Sequence, residues 1–471
     1  MINLNSIQQV YMLGIGGIGM SALARYFVYR GIQVAGYDKM ATALTMELER
    51  EGITIHYEDD KNLIPENTGL VVYTPAIPSS LNEFSYCISK GWPLVKRSEL
   101  LGLITKEMFT IAVAGTHGKT TISSMIAHLL RDTGYGCNAF LGGITANYHT
   151  NYWYHENPVA VAEADEYDKS FLALSPSIAV ISSMDADHLE IYGDAGAMEN
   201  AYREFASKLK ADGLLLVNKA IENAFNNAQC TSYSVNDMNA DAYAYNITNA
   251  NGSFYFNVNI EGNILNGFYL PMPGLHNLSN MLAAITVAHT LKIEEEKIKK
   301  AVAGFKGVRR RFEYLFRSAG ADKSIVYIDD YAHHPAELKA LIEGITISFQ
   351  GYRTIGIFQP HLFSRTKEFY EEFALELDKL NEVILLPVYP AREQPIEGVN
   401  SQLIMGCMQQ AHVQIMEIQQ VADYITKRLP GAEVLQEPLL ITTIGAGSIE
   451  KLREPLKIYL ESISENSLVT S

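Results

Sequence analysis

Cysteine is scarce in this 471-residue chain: Cys87, Cys137, Cys230 and Cys407 lie far apart and form no CxxC pair. That excludes a disulfide scaffold, argues against a zinc site and points to a reducing compartment. Also missing is any unbroken apolar run near the ~18 residues that a membrane-spanning helix needs. Residues 1–17 place no basic segment ahead of their apolar stretch, so no secretory leader is expected and the protein is expected in the cytoplasm. Net positive charge is absent as well. With 37 Lys+Arg against 53 Asp+Glu, the formal charge of -16 disfavours nucleic acid and anionic membrane surfaces as partners. The positive charge that exists is concentrated at Lys96-Arg97, Lys119, Arg309-Arg310-Arg311 and Arg365, each beside a glycine loop or motif residue.

What is present is a globular composition, 48% hydrophobic and 19% charged, in a chain too long for one core. Three α/β domains are expected, at residues 1–104, 105–308 and 309–471. The outer two read as Rossmann-like, and the central one as a phosphate-loop domain with added antiparallel hairpins. The central signal is FTIAVAGTHGKTTISSMIAHLL, residues 109–130. An apolar strand runs into Gly115-Thr116-His117-Gly118-Lys119-Thr120-Thr121, then into a helix with Ile122, Met125, Ile126 and Leu129 at helical spacing. Such a turn aims backbone N–H groups and the positive helix end at one point, which favours a phosphate. Lys119 is placed to reach the β- and γ-phosphates of a nucleoside triphosphate, and the Thr120 hydroxyl to ligate Mg²⁺. The common pattern has a glycine five residues before Gly118, where this chain has Val113.

Near the start, a short strand leads to Gly14-Ile15-Gly16-Gly17-Ile18-Gly19-Met20 and a helix, and a second strand ends in Asp38. Glycines framed by strand, helix, strand and acid license a nucleotide diphosphate on the helix N-terminus, but do not separate NAD from a UDP-sugar. Thr74, Ala76 and Ile77 follow a further strand, where either ligand contacts or a plain proline-set turn fits. Two nucleotide loops in one chain imply two phosphorylated ligands. Beyond them, Glu163-Ala164-Asp165-Glu166 closes an apolar run beside the phosphate loop, the expected place for a second Mg²⁺ ligand. Asp185-Ala186-Asp187-His188 repeats that arrangement. Phe254, Phe256, Val258 and Ile260 alternate as a half-buried strand, and a helix is expected from Met281, with Asn277 and Asn280 before it as caps or ligand contacts. In the last third, Asp329-Asp330-Tyr331-Ala332-His333-His334 and Gln359-Pro360-His361-Leu362-Phe363-Ser364-Arg365 each follow a strand. The tail from Glu461 is polar and reads as disordered.

Taken in order, GIGGIGMS, GTHGKTT, EADE, DADH, GLHNLSN, RRFE, DDYAHHP and FQPH with SRT resemble the motifs of the Mur ligases of peptidoglycan synthesis, over nearly the whole chain. Within that family the likeness is strongest to the members that join L-alanine to UDP-N-acetylmuramate. The resemblance implies an ATP-dependent amide ligation through an acyl phosphate, with ATP and two Mg²⁺ ions, in a monomer or weak homodimer. It assigns ATP to Gly115, Thr116, His117, Gly118, Lys119, Thr120, Thr121, Asn277, Asn280, Arg311 and Asp330. It assigns metal to Thr120, Glu163 and His188, with Lys119, Glu163 and His188 as the catalytic groups. The UDP-sugar falls to Gly14, Gly16, Gly17, Ile18, Gly19, Met20, Asp38, Thr74, Ala76, Arg97 and His117, and the amino acid to Tyr331, His333 and Arg365. Val113 marks the family's own form of the loop. Leu362 and Ser448 depart from the pattern, and Ala206 stands near where relatives carry a modified lysine, so no such modification is expected. The alternatives are a related ligase that recycles a tripeptide onto the same sugar, and an NAD-dependent oxidoreductase, which would leave GTHGKTT idle.

Overall fold

Strand segments such as Ile111–Ala114, Val159–Ala162 and Ile178–Ile181 are buried throughout, the pattern of parallel strands covered on both faces. The computed structural model describes residues 4–185, 189–226, 228–250, 252–318, 324–391, 393–409, 412–429 and 437–469. The chain forms two compact units, one of residues 1–247, 255–270 and 279–306, the other of residues 248–254, 271–278 and 307–471. It carries three sheets in a three-domain α/β fold. Among the described residues no helix is long and apolar enough to cross a membrane.

The first sheet orders its parallel strands as Thr54–His56, Gln33–Tyr37, Gln9–Leu13, Leu70–Tyr73 and Leu94–Lys96. The order reverses at Gln9–Leu13, so the glycine loop after it and the Thr74 loop after its neighbour open on one crevice, the usual ligand position in such sheets. In the ten-stranded second sheet, Phe109–Ala114 lies between Val159–Glu163 and Ile178–Ile181. Val113 stands opposite Glu163 on one side and Val180 on the other. At one edge Ala242–Ala250, Ser253–Ile260 and Asn263–Leu270 follow in order, with Phe254, Phe256, Val258 and Ile260 buried as their alternation requires. One core runs through both of these sheets' layers, joining Phe27, Leu101 and Ile104 to Phe171, Tyr202 and Phe205. A Cβ on Gly102 would lie 2.5 Å from the Ala173 carbonyl oxygen. That contact lets the helix Arg97–Thr105 sit directly on the turn Tyr167–Ala173.

In the second unit the sheet order is Glu313–Arg317, Ile325–Asp330, Leu439–Ile444, Arg353–Phe358, Glu382–Leu385 and Val413–Ile415, parallel except for the first strand. Asp330, Ile444 and Phe358 stand side by side at the carboxyl ends of three neighbouring strands. The polar segments that follow these strands are thereby gathered on one edge.

Two expectations are corrected here. The tail is helical: Arg453–Val469 forms a helix instead of a disordered end. Its Leu456, Leu460 and Ile463 are buried, and their spacing of four and three places them on one helix face. The polarity of the segment is the solvated side of an amphipathic helix. Leu460→Ala should therefore cost about 2–5 kcal/mol, measured as a lower denaturant midpoint; an unchanged midpoint would mean the helix contributes nothing to that core. The other correction concerns the helix expected from Met281, which begins at Leu275. Gly274, at φ +88°, makes the turn into it, so Asn277 and Asn280 are helical and share a face rather than forming a cap.

Candidate active site

Two glycines with left-handed backbone shape the phosphate loop. Gly115 has φ +133°, and a Cβ there would come within 2.1 Å of the Ser182 hydroxyl oxygen. Gly118 has φ +84° and caps the helix Lys119–Asp132. The neighbouring strand's end braces the loop. The Thr116 N–H donates to the Ser183 carbonyl at 3.2 Å, the His117 N–H to the Ser183 hydroxyl at 2.9 Å, and the Thr116 hydroxyl to the Asp185 carbonyl at 2.9 Å. Ser182 donates its hydroxyl proton to the His117 carbonyl. His117 Nε2 lies 3.4 Å from the Asp185 carboxylate. Thr120 and Thr121 are buried in the first helical turn. From the helix Leu275–Thr290, the Asn280 side-chain oxygen lies 2.9 Å from where a Gly118 Cβ would stand, so Asn280 faces the loop. Asn277, in the second unit, donates to the Pro273 carbonyl at 2.8 Å.

Lys119 spends its ammonium protons on Glu166 at 2.7 Å, the Gly115 carbonyl at 2.8 Å and the Thr116 carbonyl at 3.3 Å. Burial works against its charge, yet Glu166, Asp165 and Glu163 hold the ammonium above the usual lysine value. Burial likewise lifts the Glu166 carboxyl above the usual range, against the pull of Lys119. Glu166 is 1% exposed, and its second oxygen has no hydrogen-bond partner among the described residues. A buried carboxylate oxygen left unsatisfied beside a cation is costly. Glu163 ends the adjacent strand, accepts from the Gly142 N–H at 3.0 Å, and fills the space a Gly142 Cβ would occupy. Mg²⁺ is held by hard oxygen donors, often one or two carboxylates completed by substrate phosphates. The Thr120 hydroxyl and the Glu163 carboxylate, on the phosphate loop and its neighbouring strand end, fit that donor set. His188 lies outside the described residues, as do Ala186 and Asp187.

At the first glycine loop, the N–H groups of Gly14 and Ile15 donate to the Tyr37 carbonyl at 2.8 and 3.1 Å. Asp38 accepts from the Gly16 N–H at 2.7 Å and the Lys39 N–H at 2.8 Å. Its carboxylate thus shapes the loop itself. Thr74 packs against Gly14 and Arg97 against Gly19, each within 2.8 Å of where a Cβ would stand; Ala76 donates its N–H to the Thr74 hydroxyl at 3.5 Å. Arg97 also lies 3.7 Å from Asp165. Gly17 caps the helix Ile18–Tyr29, and Met20 is buried within it. Sequence reading missed Asn151, which donates to the Ile18 carbonyl at 2.6 Å and the Ser21 hydroxyl at 3.0 Å and so fixes that helix start.

In the second unit, Asp330 accepts from the N–H groups of Phe312 at 2.6 Å and Ala332 at 2.7 Å. Burial pushes its carboxyl up to about 6, with Arg311 and those N–H groups acting in the opposite direction. Arg310 and Arg311 lie over the Tyr331 ring at 4.9 and 5.1 Å, and Arg311 is 3.5 Å from Glu337. The His333 ring meets Tyr331 and His361 edge-on at 5.3 and 5.7 Å, and His361 stacks on Tyr389 at 5.6 Å. Burial holds His333 below the usual imidazole range, although Glu337 opposes it. Arg365, buried in the helix Phe363–Leu377, bears on both histidines. Leu362, at φ +71°, starts that helix: its N–H donates to the Tyr389 carbonyl at 2.9 Å and its carbonyl accepts the Thr366 hydroxyl at 2.7 Å. Ser448 bonds with Gln359 at 3.1 Å, which also accepts the Ile449 N–H at 2.8 Å, so that loop is tied by an amide.

Burial pushes His361 down to about 4, with His333 and Arg365 adding to it, and pushes His276 down to about 4, with Arg311 adding to it. Both rings are neutral near neutral pH. A folded-state value below the unfolded one means that the native form binds fewer protons, so the stability each ring contributes is complete above about 6.5 and is lost as pH falls towards 4. In an NMR titration, these two ring resonances should stay still from pH 8 to about 5; either ring titrating near 6.5 would mean it is solvated.

Other residues missed in the sequence were Glu166, overlooked inside a motif that had singled out Glu163, and Ser182-Ser183, which only the strand order places under the phosphate loop. Three acids in four residues after a buried strand were the available signal for Glu166.

Three segments of the chain are matched by family models. Residues 9–108 match the Mur ligase family catalytic domain, 113–288 the Mur ligase middle domain, and 310–442 the Mur ligase glutamate ligase domain. A UDP-N-acetylmuramate–L-alanine ligase from Flavobacterium johnsoniae is 44% identical over 465 residues, covering 98% of this chain and 99% of that protein. The crystal structure of a UDP-N-acetylmuramate-alanine ligase from Thermotoga maritima superposes with a TM-score of 0.82 at 26% identity, over 96% of this chain and 99% of its own. A murein peptide ligase from Psychrobacter arcticus shares the fold, with a TM-score of 0.68 at 20% identity over 97% of this chain and 99% of its own. With two nucleotide-type glycine loops in sequence and a near-full-length relative at this identity, the chain belongs to the Mur ligase family.

Proposed function

We propose that this enzyme joins L-alanine to the lactyl carboxylate of UDP-N-acetylmuramate at the expense of ATP, releasing UDP-N-acetylmuramoyl-L-alanine, ADP and phosphate. The observation that carries this reading is the 44% identity over 98% of the chain to a ligase of that name. Residues 1–104, 105–308 and 309–471 serve as the sugar-nucleotide, ATP and amino-acid domains, in the cytoplasm, as a monomer or weak homodimer.

A carboxylate is a poor acyl donor, and phosphorylation by ATP converts it into an acyl phosphate that an amine can attack. Gly14 to Met20, Asp38, Thr74, Ala76 and Arg97 hold the UDP-sugar, with the diphosphate at the start of the helix Ile18–Tyr29. Gly115 to Thr121 hold the ATP phosphates; Lys119 exchanges its bonds to the loop for phosphate oxygens and offsets the charge where two anions meet. His117, braced by Ser183 and Asp185, faces the γ-phosphate and the lactyl group. Magnesium held by Thr120 and Glu163, with a second ion at His188, supplies electrostatic stabilisation of the phosphate oxygens. Asn280, which faces the phosphate loop, contacts adenine. Arg365 and His333 take the carboxylate of alanine, and Tyr331, backed by two guanidinium groups, limits side-chain size.

The test supplies UDP-N-acetylmuramate, ATP and either L-alanine or the recycled tripeptide, and follows phosphate release. Turnover with alanine is expected. Turnover dependent on the tripeptide would move the protein to the recycling branch, and none with either would refute both readings.

A further inference from the structure

In the second unit, the helix Phe363–Leu377 carries Arg365 in its first turn. Leu362 stands at the capping position with φ +71° and makes no side-chain cap. Leucine is a poor residue there, because it has no oxygen to offer the first N–H groups of the helix. Further along, Phe369 has φ −122° and ψ 19°, which interrupts the helical backbone. Residues 363–368 are thereby uncoupled from the regular helix that follows, and their alignment depends on what holds their start.

That hold comes from a neighbouring loop. The Tyr389 N–H donates to the Pro360 carbonyl at 2.8 Å, and the Tyr389 carbonyl accepts the Leu362 N–H at 2.9 Å, which lays the loop along the chain just ahead of the helix. The Glu393 N–H donates to the Pro390 carbonyl at 2.8 Å, and this turn brings the Glu393 carboxylate back to Ser364. One of its oxygens accepts the Ser364 N–H at 2.9 Å and the other accepts the Ser364 hydroxyl. Burial works to raise the Glu393 carboxyl, yet the Ser364 hydroxyl and the N–H groups of Ser364 and Phe363 hold it below the usual carboxylate range. A negative charge at the positive end of a helix is favourable in the same sense. Both oxygens are engaged at the helix start, which makes Glu393 a support for the site and not a substrate contact. We propose that Glu393 is a positioning residue for the amino-acid site: it supplies the cap that Leu362 lacks and so fixes the direction in which Arg365 meets an incoming carboxylate, an inference that rests on the assignment of Arg365 to the carboxylate of alanine.

Steady-state kinetics of the full-length enzyme test this. Glu393→Ala should raise the KM for L-alanine by about three- to tenfold, the worth of a lost helix cap, while kcat and the KM values for ATP and UDP-N-acetylmuramate stay within about twofold. Glu393→Gln keeps an oxygen for the Ser364 N–H and gives up the charge, so its KM for alanine should fall between those of the parent and Glu393→Ala. Ser364 is exposed and Glu393 half-buried, so neither variant opens the core. In an Arg365→Ala background, Glu393→Ala should add nothing further to the KM for alanine, because a residue that acts through Arg365 then has nothing left to direct. If Arg365→Ala itself leaves that KM unchanged, the assignment of Arg365 is overturned and the role of Glu393 with it. If Arg365→Ala raises the KM but Glu393→Ala does not, costs the same factor in both backgrounds, or raises the KM for every substrate alike, Arg365 keeps its assignment and the positioning role of Glu393 is overturned.

Discussion

Lys119→Ala is expected to abolish ligation, with kcat lowered by at least about 10²–10³-fold, while UDP-N-acetylmuramate still binds within about threefold, because the two loops begin different helices. Lys119 is the cation at the mouth of the phosphate loop, and its Nζ sits 2.8 Å from the Gly115 carbonyl. Its removal also strands Glu166, 1% exposed and then without its counter-charge. Breaking a buried pair from one side costs about 3–5 kcal/mol, so activity and stability must be measured together. Lys119→Ala combined with Glu166→Gln separates them: the double variant should recover most of the lost Tm and none of the activity. If a folded Lys119→Ala protein loses sugar-nucleotide binding as well, calorimetry will show it, and the assignment of the two loops to two ligands is wrong.

Arg365→Ala should raise the KM for L-alanine by about 30- to 100-fold, the worth of charge-assisted hydrogen bonds to a carboxylate, and leave kcat far less affected. Burial lowers the pKa of both His333 and His361, so in the proposed function the positive charge for an incoming carboxylate falls to Arg365. Leu362 uses its backbone to start the helix and offers no second cation. Under the proposed function, alanine orientation then rests more on Arg365. Steady-state kinetics with alanine varied at saturating ATP checks this, and a loss confined to kcat would remove Arg365 from carboxylate binding.

Local chemistry was legible in the sequence wherever a motif carries its own geometry. Gly115 and Gly118 announce a phosphate loop because their positive φ values, +133° and +84°, are open to glycine at little cost. The alternation of Phe254, Phe256, Val258 and Ile260 announces a half-buried strand because side chains on a strand alternate faces. The C-terminal helix was misread because polarity outweighed the spacing of Leu456, Leu460 and Ile463. The start of the helix at Leu275 was misread because the Gly274 turn was taken as a longer loop.

The sequence by itself determined that the chain holds two nucleotide loops, an acidic strand end beside one of them and a histidine- and arginine-rich edge near its end, since each is encoded within a few consecutive residues. Only the tertiary structure decided which distant residues serve them. Strand order put Ser182 and Ser183 under the phosphate loop, chain folding set Glu166 against Lys119 across 47 positions, and Asn151 reached across 133 to brace the first loop's helix. Such pairings depend on which strands become neighbours, and that is set by burying the whole core, a property no local window of sequence contains.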